Sequence, residues 1–266
     1  MKNVISKDGT RIAFEKTGQG PAVILVDGAM GYREYFGGRP LAAELSKEFT
    51  VYTYDRRGRG ESTDTQPYAV EREIEDIEAL IDEAGGSVYL YGFSSGTVLA
   101  LKAAGKLGAN KVVKLALYGP PLNSDDDKAK QDFAQYAKRM AELLEANKRG
   151  DAVAFFLADM MPAEMIEGMR QSPEWPVMEA VAPTIAYDNA VMGDGSLPVE
   201  DTKAATMPAL VLDADESPSF IHEAADALAK AMPKTQRKTL EGQMHLALPE
   251  ALAPVLAAFF NATFEK

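Results

Sequence analysis

Gly92-Phe93-Ser94-Ser95-Gly96 sets a hydroxyl nucleophile between two glycines, with one residue of spacing on each side. Residues 88–91 before it are apolar in the manner of a buried strand, and residues 97–104 after it are apolar and helical in pattern. A serine at the tip of a tight strand-to-helix turn sits in strained backbone geometry, so the residues packed on both sides must be small. The helix that opens there directs free N–H groups and its positive end at the reacting oxygen. Ser94 is thus suited to nucleophilic attack, and the Ser95 N–H to holding a developing oxyanion. Such a nucleophile needs a base. The chain has no cysteine and two histidines, His222 and His245. His222 stands in a helical pattern beside Glu223 and Asp226 and reads as a solvated surface residue. His245, in Leu240-Glu241-Gly242-Gln243-Met244-His245, is left as the general base.

The elements that must position these residues alternate between short apolar runs and helical patterns, the signature of a mostly parallel sheet with crossover helices. Residues 3–6 and 11–16 flank Lys7-Asp8-Gly9-Thr10 and read as a hairpin. Strands are expected at 22–26, 50–54, 88–93, 112–118, 209–212 and 235–240. Helices are expected from Pro40, over 69–84, 95–107 and 220–232, and over 248–260 with Pro249 in the first turn. In 69–84, Ile74, Ile77, Leu80 and Ile81 share one face, the acids are assigned to the other, and Gly85-Gly86 ends the helix. From about Pro121 to Met207 no strand pattern appears. Asp125-Asp126-Asp127 opens a helical stretch that carries Phe133, Tyr136, Met140, Leu143 and Leu144 and closes at Lys148-Arg149-Gly150. This region reads as a helical insertion in the α/β frame. Its Phe155, Phe156, Met160, Met161, Met165, Met169, Trp175 and Met178 either line a pocket or pack the insertion against the body.

Composition narrows the function classes. With 266 residues, 46 % hydrophobic and 26 % charged, the chain can bury a full core. A formal net charge of −12 argues against nucleic-acid binding, for which Arg56-Arg57 and Arg59 are the only basic cluster. Disulfides, thiolate nucleophiles and thiolate-bound metals are excluded. No apolar run has the length of a membrane span or of a signal-peptide core, so a cytoplasmic location is expected. No cofactor and no metal are expected.

Three segments carry a resemblance. Tyr54-Asp55-Arg56-Arg57-Gly58-Arg59-Gly60-Glu61-Ser62 resembles the D-x-R-G-x-G-x-S segment of α/β hydrolases, in which the Asp and Arg lock a loop beneath the active site. A phosphate-binding loop is the competing reading, and no Walker-type Lys follows the glycines. Ile24-Leu25-Val26-Asp27-Gly28-Ala29 is similar to the family's strand-end H-G-x turn, with Asp27 in place of the His. The resemblance makes Ala29 the second oxyanion donor beside Ser95, and Asp27 is expected to turn away into backbone hydrogen bonds. His245 stands where the family places its catalytic His. The family's acid follows a strand as Gly-x-x-Asp, which here puts Ala214 at the Gly and Ser217 at the acid. Asp215 is the first choice for that role, Asp213 at the strand tip the second, and Asp125 after the 112–118 strand the third.

The resemblance implies an α/β-hydrolase fold: a mostly parallel, doubly wound sheet of about eight strands with a helical cap insertion. Its core would span 1–120 and 206–266, and its cap 121–205. The implied activity is that of a serine hydrolase, cleaving carboxylic esters or lactones of small to medium apolar substrates by two-step acyl transfer. Carbon–carbon hydrolysis, perhydrolysis and cyanohydrin cleavage use the same constellation in the family. A non-catalytic small-molecule receptor is the alternative from another class, kept open by Ser217 and Asp27. The expected partner is a small-molecule ester or lactone, with no nucleic acid and no membrane; a homodimer is left open.

Overall fold

The chain begins with an antiparallel hairpin, β1 (Lys2–Ile5) and β2 (Arg11–Thr17), whose turn is held by Asp8 Oδ1 accepting the Thr10 N–H at 3.0 Å. There follow β3 (Ala22–Val26), α1 (Arg39–Leu45), β4 (Thr50–Tyr54), α2 (Val70–Glu83), β5 (Val88–Phe93), α3 (Ser95–Leu107) and β6 (Val112–Tyr118). After a long helical segment the sheet resumes with β7 (Ala209–Ala214), α10 (Ser219–Ala231), β8 (Thr235–Leu240) and α11 (Pro249–Asn261). The eight strands of this computed structural model, which describes residues 2–35 and 37–264, form one sheet in the order β1-β2-β4-β3-β5-β6-β7-β8. β1, β2 and β4 pair antiparallel, and every pair from β4 through β3 to β8 is parallel. The α/β-hydrolase fold expected from sequence is the fold observed.

Alternation along the strands gives each sheet face its own core. Ile24, Val26, Leu90, Leu115 and Leu117 pack with Ile77, Leu80 and Ile81 of α2, Leu101 of α3 and Leu228 of α10. Val23, Leu25, Tyr91, Ala116 and Leu212 pack with Leu41 and Leu45 of α1 and Leu256 and Phe260 of α11. Each fully buried Leu, Ile or Phe contributes about 1.5–3 kcal/mol relative to exposure. β8 is half-exposed along Thr235–Leu240, and Arg237 and Lys238 guard it against edge pairing.

The intervening segment holds α4 (Asp127–Glu145), α5 (Arg149–Leu157), α6 (Ala163–Arg170), α7 (Trp175–Val181), a 3-10 turn (Ala182–Thr184), α8 (Ile185–Met192) and α9 (Val199–Ala204). Asp126 caps α4 by accepting the Ala129 N–H at 2.9 Å, a contact worth about 1 kcal/mol. The choice between lining and packing resolves here for most of the named side chains. Trp175 and Met178 are buried in a cluster with Met140, Leu143, Val153, Ile185 and Met30, and Phe155, Phe156, Met161 and Met169 lean on it. Met160 and Met165 are exposed instead. No helix among the described residues is long and apolar enough to cross a membrane.

Candidate active site

β5 delivers Ser94 to the C-terminal edge of the sheet, and α3 starts at the next residue. Ser94 has φ 51° and ψ −127°, a conformation L-residues adopt only where the surroundings enforce it. The flanking glycines show how. A Cβ on Gly92 would lie 2.5 Å from Gly96 O, and one on Gly96 would lie 2.5 Å from Val26 O. Strand, helix and the end of β3 therefore approach more closely than any side chain permits. The turn is pinned by Ser94 N–H donating to Tyr118 O at 3.0 Å and by the Thr97 N–H and hydroxyl donating to Ser94 O at 2.8 and 2.6 Å.

The Gly28-Ala29 turn stands directly against the serine: a Cβ on Gly28 would fall 2.9 Å from Ser94 Cβ. Ala29 is half-buried there, and Ser95 is the first residue of α3, where a helix leaves its N–H groups unpaired. The Gly28-Ala29 turn, Ser94 and the start of α3 thus meet at one point.

Beneath that point lies a buried ionic network. Arg56 makes two 2.7 Å bonds to the Glu73 carboxylate, one of 2.7 Å to Asp188 Oδ1 and one of 3.2 Å to Asp27 O. Arg59 reaches Asp188 Oδ2 at 2.6 Å, Thr184 Oγ1 at 3.1 Å, and the carbonyls of Gly28 and Gly31 at 2.6 and 3.1 Å. Ser95 Oγ donates to Asp188 Oδ1 at 2.8 Å. Burial pushes the Asp188 carboxyl up, but the Arg56 and Arg59 charges and the Arg56 and Ser95 hydrogen bonds hold it below its ordinary value. The expected Asp–Arg lock of the 55–62 loop takes a different form. Asp55 accepts from Arg33 and from the Glu61 N–H at 2.9 Å, while Arg57 pairs with Asp76 at 2.7 Å and Asp8 at 2.8 Å. Glu73 and Asp76, assigned from sequence to the solvent face of α2, are buried because these arginines need their charge. Their sequence signal was two acids three apart, bordering the apolar arc of Ile77 and Leu80. Asp188, far along the chain in α8, had no local signal at all.

His245 lies at the same edge of the sheet, its ring 5.2 Å from the Phe93 ring centre and 6.5 Å from that of Tyr118. A Cβ on Gly119 would meet its Cε1 at 2.6 Å, so the imidazole rests on bare backbone. Burial lowers its pKa and favours the neutral ring. Among the described residues no hydrogen bond joins it to Ser94, and its buried Nδ1 has no partner. The expectation that Asp215 pairs with this ring is corrected. Both Asp215 oxygens are taken by backbone, the Gly242 N–H at 2.9 Å and the Gln243 N–H at 3.1 Å, which fixes the turn leading to His245. Asp213 is fully buried and bound to Arg237 at 2.8 Å and to His222 Nδ1 at 2.6 Å. His222 is therefore partnered, not simply solvated. Asp125 pairs with Lys130 at the surface, and the Ser217 hydroxyl is buried without a partner among the described residues.

Asp27 does turn into the backbone, accepting the Gly38 N–H at 3.3 Å. Burial raises its pKa to about 7, against the lowering effects of Gly38, Arg59 and Arg56. It borders a cavity of about 520 Å³ walled by Leu41, Tyr91, Phe93, Tyr118, Leu246, Leu248 and Leu252. Neither Ser94 nor His245 lines it; Phe93 and Leu246, which do, are their sequence neighbours. Among the described residues no cluster of His, Asp and Glu is arranged to hold a metal ion.

Comparison with known proteins bears on the fold and the family. A crystal structure of an alpha/beta hydrolase from Sphaerobacter thermophilus superposes with a TM-score of 0.87 at 45 % identity, covering 98 % of this chain and 100 % of that one. A thermophilic esterase from Thermogutta terrifontis gives a TM-score of 0.76 at 25 % identity over 97 % of each chain. Curated relatives match over shorter stretches. The uncharacterized hydrolase YraK of Bacillus subtilis is 34 % identical over 97 residues, 35 % of each protein. The human serine hydrolase BPHL is 29 % identical over 153 residues, 53 % of this chain and 52 % of its own length. The matches thus span between about a third and a half of those relatives. The model of the alpha/beta hydrolase family matches residues 23–258, and the chain belongs to that family.

Proposed function

We propose that the protein is a serine hydrolase that cleaves carboxylic esters or lactones of small to medium apolar substrates through an acyl-enzyme on Ser94. The observation that carries the reading is the strained Ser94 at the β5–α3 turn, pressed against Gly28. In the first step Ser94 Oγ bonds to the substrate carbonyl carbon and its proton passes to neutral His245. The carbonyl oxygen takes up the charge and is held by the Ala29 and Ser95 N–H groups. Collapse breaks the bond to the alcohol oxygen, which leaves with the proton from His245. Water then repeats the sequence on the acyl-enzyme, releasing the acid and restoring the Ser94 hydroxyl.

The step requires the ring to reach Ser94 Oγ, a contact that is commonly long before substrate binds. Asp215 serves this centre through the loop, holding the Gly242-Gln243 backbone that presents His245. The cavity beside Phe93 and Leu246 suits the apolar portion of an ester, since its walls are predominantly aromatic and aliphatic. The helices of 121–205 act as a cap over the core formed by 1–120 and 206–266.

A fluorophosphonate probe tests the reading. It should label Ser94 in the intact protein, and Ser94→Ala should abolish both labelling and hydrolysis of aryl esters and lactones. Absence of label, or undiminished turnover in Ser94→Ala, overturns it. Faster turnover of β-diketones or peroxide than of esters would move the activity to carbon–carbon hydrolysis or perhydrolysis.

A further inference from the structure

Two groups proposed to hold the oxyanion come from separate parts of the chain, Ala29 after β3 and Ser95 at the start of α3. Their separation must be held to within a fraction of an ångström for both N–H groups to meet one oxygen. Backbone contacts do this only in part. The Ala29 turn is gripped through its carbonyls, with Arg59 bonded to Gly28 O and Gly31 O and Arg56 to Asp27 O. Ser95 is gripped through its hydroxyl, by Asp188. The same Asp188 carboxylate takes both arginines, Arg56 on Oδ1 and Arg59 on Oδ2.

We propose that Asp188 is a positioning residue for the reaction: a single carboxylate, carried by α8 of the helical segment, that sets the distance between the Ala29 and Ser95 oxyanion donors. The inference rests on the serine-hydrolase reading above. Asp188 touches no substrate; it acts through Ser95 on one side and through Arg56 and Arg59 on the other. Because it is carried by α8, any displacement of that helix from the sheet draws on the oxyanion geometry. The placement of the helical segment is thereby linked to turnover as well as to access.

A positioning role is read in transition-state binding, so the experiment follows kcat, KM and inhibition by an alkylboronic acid that forms a tetrahedral adduct on Ser94 Oγ. Two variants are compared, Asp188→Asn and Ser95→Ala. The second keeps the Ser95 N–H and both arginine pairs and removes only the hydroxyl, so it remains informative if Asp188→Asn does not fold. In Ser95→Ala, kcat should fall about 10-fold, and in folded Asp188→Asn about 10- to 100-fold, with KM held within about twofold. Boronate affinity should weaken in parallel with kcat/KM in both. Ser95→Ala with wild-type kcat and boronate affinity overturns the proposal. So does a loss in Asp188→Asn that appears as a proportionate rise in KM with boronate affinity unchanged. Ser94→Ala separates the two readings: if that variant keeps its turnover, the serine-hydrolase reading itself has failed, whatever Asp188 does.

Discussion

Replacing Asp27 with Asn should change how stability depends on pH by an amount that the structure sets. Asp27 is buried, receives one long hydrogen bond from the Gly38 N–H, and has its pKa raised to about 7 from an ordinary 3.8. A carboxyl with a raised folded-state value keeps its proton in the folded chain after the unfolded chain has lost it. The folded state therefore binds more protons between pH 3.8 and about 7, and stability falls as pH rises through that window. At about 1.4 kcal/mol per pH unit, the full penalty is roughly 4 kcal/mol above pH 7 and close to zero below pH 4. Asn is neutral throughout and carries no such term. Urea unfolding of wild type and Asp27→Asn at several pH values isolates it, because every other group cancels in the difference. The variant should gain on the wild type by roughly 4 kcal/mol between about pH 4 and pH 8. Parallel curves for the two proteins across that range would refute the claim that burial dominates the carboxyl's environment.

Other perturbations have similarly direct readouts. Burial lowers the His245 pKa, so the acid limb of kcat/KM should have its midpoint below the ordinary 6.5, as measured in a pH profile on an aryl ester. Asp215→Ala should reduce kcat by about 10-fold through the loosened Gly242-Gln243 turn, whereas a carboxylate that orients the base directly is worth on the order of 10⁴-fold. Glu73→Gln leaves Arg56 with one buried carboxylate in place of two and should cost about 3–5 kcal/mol in urea unfolding. Gly96→Ala drives a Cβ to 2.5 Å from Val26 O, so it should destabilise by about 3 kcal/mol and abolish activity together; wild-type stability in that variant would show that the elbow can open.

The buried arginines explain why the 55–62 loop is rich in charge in an otherwise acidic chain. Three guanidiniums sit at 1 % exposure or less, which is tolerable only because each meets at least one buried carboxylate and further oxygens. Such a network fixes relative placement more than it adds stability, since desolvation offsets most of the attraction. Its location under the Ala29 turn is where that placement bears on the proposed chemistry.

The strand and helix pattern, the Ser94 elbow and the family were legible in the amino-acid sequence by itself. Each depends on residues adjacent along the chain: alternation of apolar side chains, glycines flanking one serine, and an Asp-Arg-Arg-Gly run after a strand. Period and local sterics suffice for these, because they operate within a single element. What lies around Ser94 was decided only by the tertiary structure. Sequence ranked Asp215 ahead of Asp213 without access to what either binds, because their partners, the Gly242-Gln243 amides and the Arg237 and His222 side chains, are brought to them by the pairing of β7 with β8 and the packing of α10. Asp188 was invisible for the same reason. Its link to Ser95 spans 93 positions, and a carboxylate in a helical pattern looks solvated until a fold places two arginines against it. Local geometry is written in neighbouring residues, whereas the charge and hydrogen-bond partners of a site are set by which distant segments the core brings together.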